Sequence, residues 1–158
     1  MYKSILSINQ KPQAIAIMKG NNDYKDISGT VRFYQRQSGV LVISQIFGLP
    51  KGTKKCDSPI LAFHIHSGTS CTGDTNDYFA DSKGHFNPND CPHPYHAGDM
   101  PPLFSCGGYA FSAFFTDRFT VKEIIGRTVI IHSGADDFTS QPAGNPGVKI
   151  ACGVIKVR

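Results

Sequence analysis

The stretch Thr30-Val31-Arg32-Phe33-Tyr34-Gln35-Arg36, followed by Gln37-Ser38-Gly39 and then by Val40-Leu41-Val42-Ile43-Ser44-Gln45-Ile46-Phe47, decides the fold class. Both arms are rich in β-branched and aromatic residues, which suit a pleated and half-buried surface. The break between them has the length and the glycine of a hairpin turn. Gln13–Lys19 precedes them as a third segment of the same kind, so a meander is predicted. Outward from it lie Leu61–His66, Met100–Ser105, Tyr109–Thr116, Thr128–His132 and Ile150–Val157. Met100–Ser105 is expected to pair with Tyr109–Thr116 across Cys106-Gly107-Gly108. Only Thr120–Ile125 reads as a helical turn, because Glu123 follows Thr120 at capping-box spacing. Eight strands without a helix of consequence predict an all-β fold, an antiparallel sandwich or barrel.

Composition agrees. The chain has 158 residues, which is enough for one domain, 1–158, with a hydrophobic core of its own. Only 18% of residues are charged, while 16 glycines and 10 prolines supply many turns. Aromatic residues at 11% exclude a disordered chain. The net charge of +4 is scattered, its densest groups being pairs such as Lys54 and Lys55, so no nucleic acid is expected as partner. No apolar run of about 18 residues predicts a membrane helix, and no membrane partner is expected. Met1–Gly20 is interrupted by Asn9, Gln10, Lys11 and Pro12, so no apolar centre of an export signal is visible. A cytoplasmic chain or the mature form of an exported one is expected.

Two long segments have loop chemistry: Ser67–Asp99 and Ser133–Lys149, both rich in glycine, proline and aspartate. Long structured loops on a compact domain are usually functional. Five of the six histidines lie between His64 and His96. His64 and His66, two apart on a strand, project from one face while Phe63 and Ile65 point to the core. His85, His93, His96 and Asp99 follow within the loop, and His132 ends another strand. Any one of them alone would suit a hydrogen-bonded core histidine. Together, a strand pair, a loop cluster and a strand end point to a metal site. Imidazoles suit copper, zinc, nickel or iron, and a closed set with one carboxylate suits structural zinc.

The strings Phe63-His64-Ile65-His66, Gly84-His85-Phe86-Asn87-Pro88, His96-Ala97-Gly98-Asp99, Gly126-Arg127-Thr128 with His132 and Ala135-Asp136-Asp137, and Ala151-Cys152-Gly153-Val154-Ile155 occur in that order. The chain resembles the copper/zinc superoxide dismutase family over roughly Gln13 to Val157. The resemblance implies an eight-stranded antiparallel Greek-key barrel, an immunoglobulin-like sandwich with two long functional loops. It implies copper on His64, His66, His85 and His132, and zinc on His85, His93, His96 and Asp99, with His85 bridging the two ions. It implies superoxide as substrate, a copper cycling between its two oxidation states, and His85 as the catalytic proton carrier. Asp136 would accept hydrogen bonds from one copper histidine and one zinc histidine, His66 and His93. Cys71 and Cys152 would form the family's internal disulfide. A homodimer and a copper-delivery partner are compatible with the resemblance.

The chain departs from the family pattern in two places. Lys149 stands where the family usually has an arginine, three residues before the cysteine of the final motif. An ammonium attracts superoxide but lacks the planar guanidinium fork, so an altered anion site is expected at this catalytic position. The 133–149 loop contains no glutamate, which leaves less charge for steering. Among the remaining cysteines, Cys56 and Cys106 lie on connections that the barrel would bring to one end. A second bridge between them is therefore expected, with Cys91 left free. A non-catalytic relative, such as a copper-chaperone-like domain, is the rival reading; such relatives commonly lack copper ligands, and this chain lacks none. A zinc hydrolase would need an open zinc position, which the saturated ligand set does not leave.

Overall fold

The computed structural model describes residues 11–54 and 56–158; residues 1–10, where an export signal would begin, and Lys55 lie outside it. Among the described residues the elements are β1 (Ala14–Gly20), β2 (Ser28–Arg36), β3 (Gly39–Phe47), β4 (Ile60–His66), a short 3-10 turn (Ala80–Ser82), β5 (Asp99–Phe104), β6 (Ala110–Thr116), α1 (Val121–Ile124), β7 (Thr128–His132) and β8 (Lys149–Val157). The strands form one antiparallel sheet in the order β5-β4-β7-β8-β1-β2-β3-β6, curled into a nearly closed barrel. The predicted meander is present. β2 and β3 pair from Arg36↔Gly39 to Ser28↔Phe47, and β1 joins β2 from Ala14↔Phe33 to Lys19↔Ser28.

Alternation along these strands fills the barrel. Val31 and Phe33 of β2, Val42 and Ile46 of β3, and Phe63 and Ile65 of β4 belong to one buried cluster. Each large side chain removed from water contributes about 1.5–3 kcal/mol before conformational entropy is counted. The helical turn α1 starts as expected, with Thr120 N–H donating to Glu123 Oε2 at 2.7 Å.

The hairpin expected between β5 and β6 is not formed. The two strands occupy opposite edges of the sheet and meet at the isolated bridge Cys106↔Tyr109. β6 gives its ladder to β3, from Val40↔Thr116 to Ile46↔Ala110. β5 pairs with β4, and Pro101 and Pro102 fall where that ladder is interrupted, between Leu61↔Leu103 and Phe63↔Met100. Proline has no N–H to donate, so Pro101 and Pro102 leave β5 short of a donor for a second ladder toward β6. The turn chemistry at Gly107-Gly108 is local, whereas the choice of ladder partner is made by the whole sheet.

Cys71 and Cys152 form a disulfide with a Cα separation of 5.7 Å, tying the 67–98 loop to β8. The expected second bridge is absent, because Cys56 and Cys106 are free and exposed. Their two connections do meet, but through Leu49 N–H donating to Gly108 O at 3.0 Å and Ser105 N–H to Pro59 O at 2.9 Å. Those backbone contacts make the junction and leave both thiols at the surface.

Candidate metal centre

The alternation of β4 does the first part of the assembly. Phe63 and Ile65 enter the core, and His64 and His66 lie on the opposite face, where the long loops bury them. β7 is the neighbour of β4, pairing Phe63↔Ile131 and His66↔Thr128, and carries His132 at its end. The 67–98 loop is then stitched onto β4. Phe86 N–H donates to Ile65 O at 2.8 Å, and Ile65 N–H donates to Gly98 O at 2.9 Å. These bonds place His85, just before Phe86, and His96 and Asp99, around Gly98, beside the strand histidines.

Two donor sets result, each with its candidate ligand atoms within 4.8 Å of one another: His64, His66, His85 and His132, and His85, His93, His96 and Asp99. In the first, the outward ring nitrogens are already engaged. His66 Nδ1 faces Lys83 O at 2.7 Å, His132 Nδ1 faces Gly147 O at 3.3 Å and His64 Nε2 faces Asp136 Oδ2 at 2.8 Å. The opposite nitrogens converge. His66 Nε2 and His132 Nε2 are 3.3 Å apart, and His64 Nδ1 and His85 Nε2 are buried with no hydrogen-bond partner. In the second set His85 Nδ1 lies 2.7 Å from Asp99 Oδ1 and 3.2 Å from His96 Nδ1. His93 Nδ1, 3.1 Å from Asp99 Oδ2, makes no hydrogen bond. Buried polar atoms are normally satisfied. Orphaned imidazole nitrogens in each of the two donor sets fit metal ions, which take neutral imidazole.

Electrostatics favour that neutral form. Burial, reinforced by the neighbouring rings of His85 and His132, pushes His64 down to about 2. Burial likewise carries His132 down to about 4 and His66 well below the ordinary range. Burial also pulls His96 down, against the attraction of Asp99. For Asp99 burial acts upward, but the hydrogen bond from His85 and the nearby imidazoles hold its carboxyl below the usual value.

Asp136 links the sets, but not through the histidine expected. It bonds His64 through Oδ2 and His93 Nε2 through Oδ1 at 2.9 Å, whereas His66 is elsewhere engaged with Lys83 O. His64 and His66 share a face, so the alternation could not tell which of them Asp136 reaches. Gly144 shapes this contact. Its φ is +75°, and a Cβ there would stand 2.0 Å from Asp136 Oδ1 and 2.6 Å from His93 Nε2.

Three further residues position the site without any signal in the sequence beyond being polar. Gln141 clasps the His93 backbone from both sides, accepting from His93 N–H at 3.0 Å and donating to His93 O at 2.7 Å. Arg118 donates to the carbonyl oxygens of Pro94 at 3.0 Å and of His96 and Asp99 at 3.4 Å. Asp77 receives the Lys149 ammonium, with Nζ 2.7 Å from Oδ2. Lys149 itself lines a cleft of roughly 340 Å³ with His132 and Gly147. Cys91 is free and half-buried, with Sγ 3.9 Å from Asn89 O.

Comparison with known proteins agrees with this arrangement. The family described as copper/zinc superoxide dismutase (SODC) matches residues 27–155. Superoxide dismutase [Cu-Zn] 2 of Aquifex aeolicus is 35% identical over 150 residues, covering 85% of this chain and 82% of that protein. Superoxide dismutase [Cu-Zn] of Photobacterium leiognathi is 32% identical over 142 residues, covering 81% and 78%. Superoxide dismutase [Cu-Zn] A of Xenopus laevis is 33% identical over 159 residues, covering 90% and 96%. With the family matched across most of the barrel and two histidine-rich sets that could each hold a metal ion, this chain belongs to the copper/zinc superoxide dismutase family of enzymes.

Proposed function

We propose that the protein converts two superoxide anions and two protons into oxygen and hydrogen peroxide. His64, His66, His85 and His132 would hold copper, and His85, His93, His96 and Asp99 would hold zinc. The observation that carries this reading is His85, which presents Nδ1 to Asp99 and His96 and keeps Nε2 buried and unpartnered on the other side. Copper on an all-imidazole set supplies a one-electron couple, while a closed set of three histidines and one carboxylate suits a zinc that does not change oxidation state.

The chain's own residues supply the rest. Asp136 fixes the ring orientation of His64 and His93 together, and such outer carboxylates govern both tautomer and basicity. Asp99 orients His85 through Nδ1, which leaves Nε2 as the atom where a proton for peroxide can be held. Lys149 places a cation in the cleft that His132 also lines, where an approaching anion is attracted. The ammonium is a point charge rather than a bidentate fork, so it draws the anion in without fixing its orientation.

Metal analysis of the purified protein together with a superoxide-removal assay tests the reading. Both metals and activity are expected, with activity lost in His64→Ala. Absence of copper, or activity that survives the substitution, would overturn it.

A further inference from the structure

The Lys149 ammonium is not free. Nζ donates to Asp77 Oδ2 at 2.7 Å and to Phe79 O at 3.1 Å, which engages two of the three donors of an ammonium. The Lys149 side chain is 15% exposed and that of Asp77 40%, so the pair lies at the boundary between cleft and solvent. Most exposed ion pairs are loose, because two long side chains must be held in one geometry. Here the acid is short and already fixed. Its Oδ1 accepts from Phe79 N–H at 3.0 Å, its own N–H donates to Asp74 Oδ1 at 3.1 Å, and its carbonyl accepts from Ala80 N–H at 3.0 Å. Phe79 in turn packs against Ile130 and Cys152 in a small buried cluster. The loop segment that presents Asp77 is anchored six residues earlier by the disulfide at Cys71, whose partner Cys152 lies three residues beyond Lys149 on β8. Asp77, Lys149 and His132 line the same cleft, with Asp23 as its other acid.

We infer that Asp77 is a positioning residue for anion capture: it fixes the Lys149 ammonium at the mouth of the cleft and partly cancels its charge. This rests on the functional reading above, in which Lys149 faces the incoming anion. The third ammonium donor remains for that anion, held in one place but in a field weakened by a carboxylate 2.7 Å from its source. Capture is thereby weaker, and less sensitive to salt, than an uncompensated lysine would make it.

Two substitutions separate holding from cancelling. Asp77→Asn removes the negative charge and keeps one oxygen, which can accept from Nζ when it gives up Phe79 N–H, whereas Asp77→Ala removes both the charge and the acceptor. Azide serves as the small-anion probe on the copper- and zinc-loaded protein, with binding followed by visible absorption over a range of ionic strengths. Asp77→Asn is expected to bind azide about three- to tenfold more tightly than the unsubstituted protein at low salt, with a steeper loss as salt rises. Asp77→Ala is expected to bind less tightly than Asp77→Asn, because its ammonium is then held by Phe79 O alone. An unchanged azide affinity in Asp77→Asn, or equal affinities in the two variants, would overturn the inference. Superoxide removal is measured on the same samples. Loaded protein that shows the expected azide order but removes no superoxide would sink the functional reading alone, and an active protein with a flat azide series would sink this inference alone.

Discussion

Asp136 Oδ2 meets His64 Nε2 at 2.8 Å across 72 residues of chain, while its other oxygen holds His93. One carboxylate therefore sets the orientation of a ring in each donor set. Asp136→Ala is expected to weaken binding at both sets by about 10–100-fold, the usual range for loss of such an outer partner. Chelator competition against each metal measures this; a loss confined to one set would contradict the bridging role.

Gln141 acts on His93 alone, through the peptide groups on either side of its side chain. Gln141→Ala is expected to reduce zinc affinity by about tenfold while leaving copper affinity within about twofold. Equal losses for the two metals would show that the clasp supports the whole loop rather than one ligand.

The metal-free protein is expected to lose stability as pH falls. The ordinary histidine value is 6.5, whereas burial holds His64 at about 2, His132 at about 4 and His66 well down. Below about 6.5 the unfolded chain therefore binds protons that the folded chain refuses, so the contribution of these rings is complete above that pH and declines as pH drops toward their folded values. Each such ring contributes a slope of up to roughly 1.4 kcal/mol per pH unit. Urea unfolding of the metal-free protein between pH 7.5 and 5 tests this, and a flat profile would refute it.

The disulfide closes a loop with a sequence separation of 81. In the chain-entropy picture its removal costs about 4–5 kcal/mol, an upper bound. Cys71→Ser with Cys152→Ser is expected to lower stability by some part of this and to make azide binding to the loaded protein more salt-dependent, because the strand and loop that hold Lys149 and Asp77 are no longer joined and the ammonium is less compensated. A large loss of stability with unaltered azide binding would show that the ion pair keeps its place without the bridge.

The strands were legible because their alternation is a local property: each of the eight predicted segments overlaps an observed strand, with ends displaced by up to two residues. The histidines were legible because a strand pair such as His64 and His66 and a loop turn such as His96 to Asp99 carry their geometry in their spacing. What failed was non-local. The glycines after Cys106 announced a turn and said nothing about β5 pairing with β4 and β6 with β3. The choice of His64 over His66 as the partner of Asp136 follows from Lys83 O having already taken His66. Cys56 and Cys106 lie on connections that touch, but a disulfide needs matched Cβ directions as well as proximity. Gln141, Arg118 and Asp77 are ordinary loop polar residues in sequence, and only the folded loops reveal what they grip.

In the proposed reading, in which His85 serves both ions, its two nitrogens would couple the donor sets thermodynamically. A ring oriented by an ion on one side is already oriented for the other, and Asp136 transmits the same constraint through His64 and His93. By reciprocity, whatever factor the first ion adds to the affinity of the second is returned in full to the first. The protein would in this sense be one receptor with two guests, and titrating it with both would trace a joint isotherm rather than the sum of two.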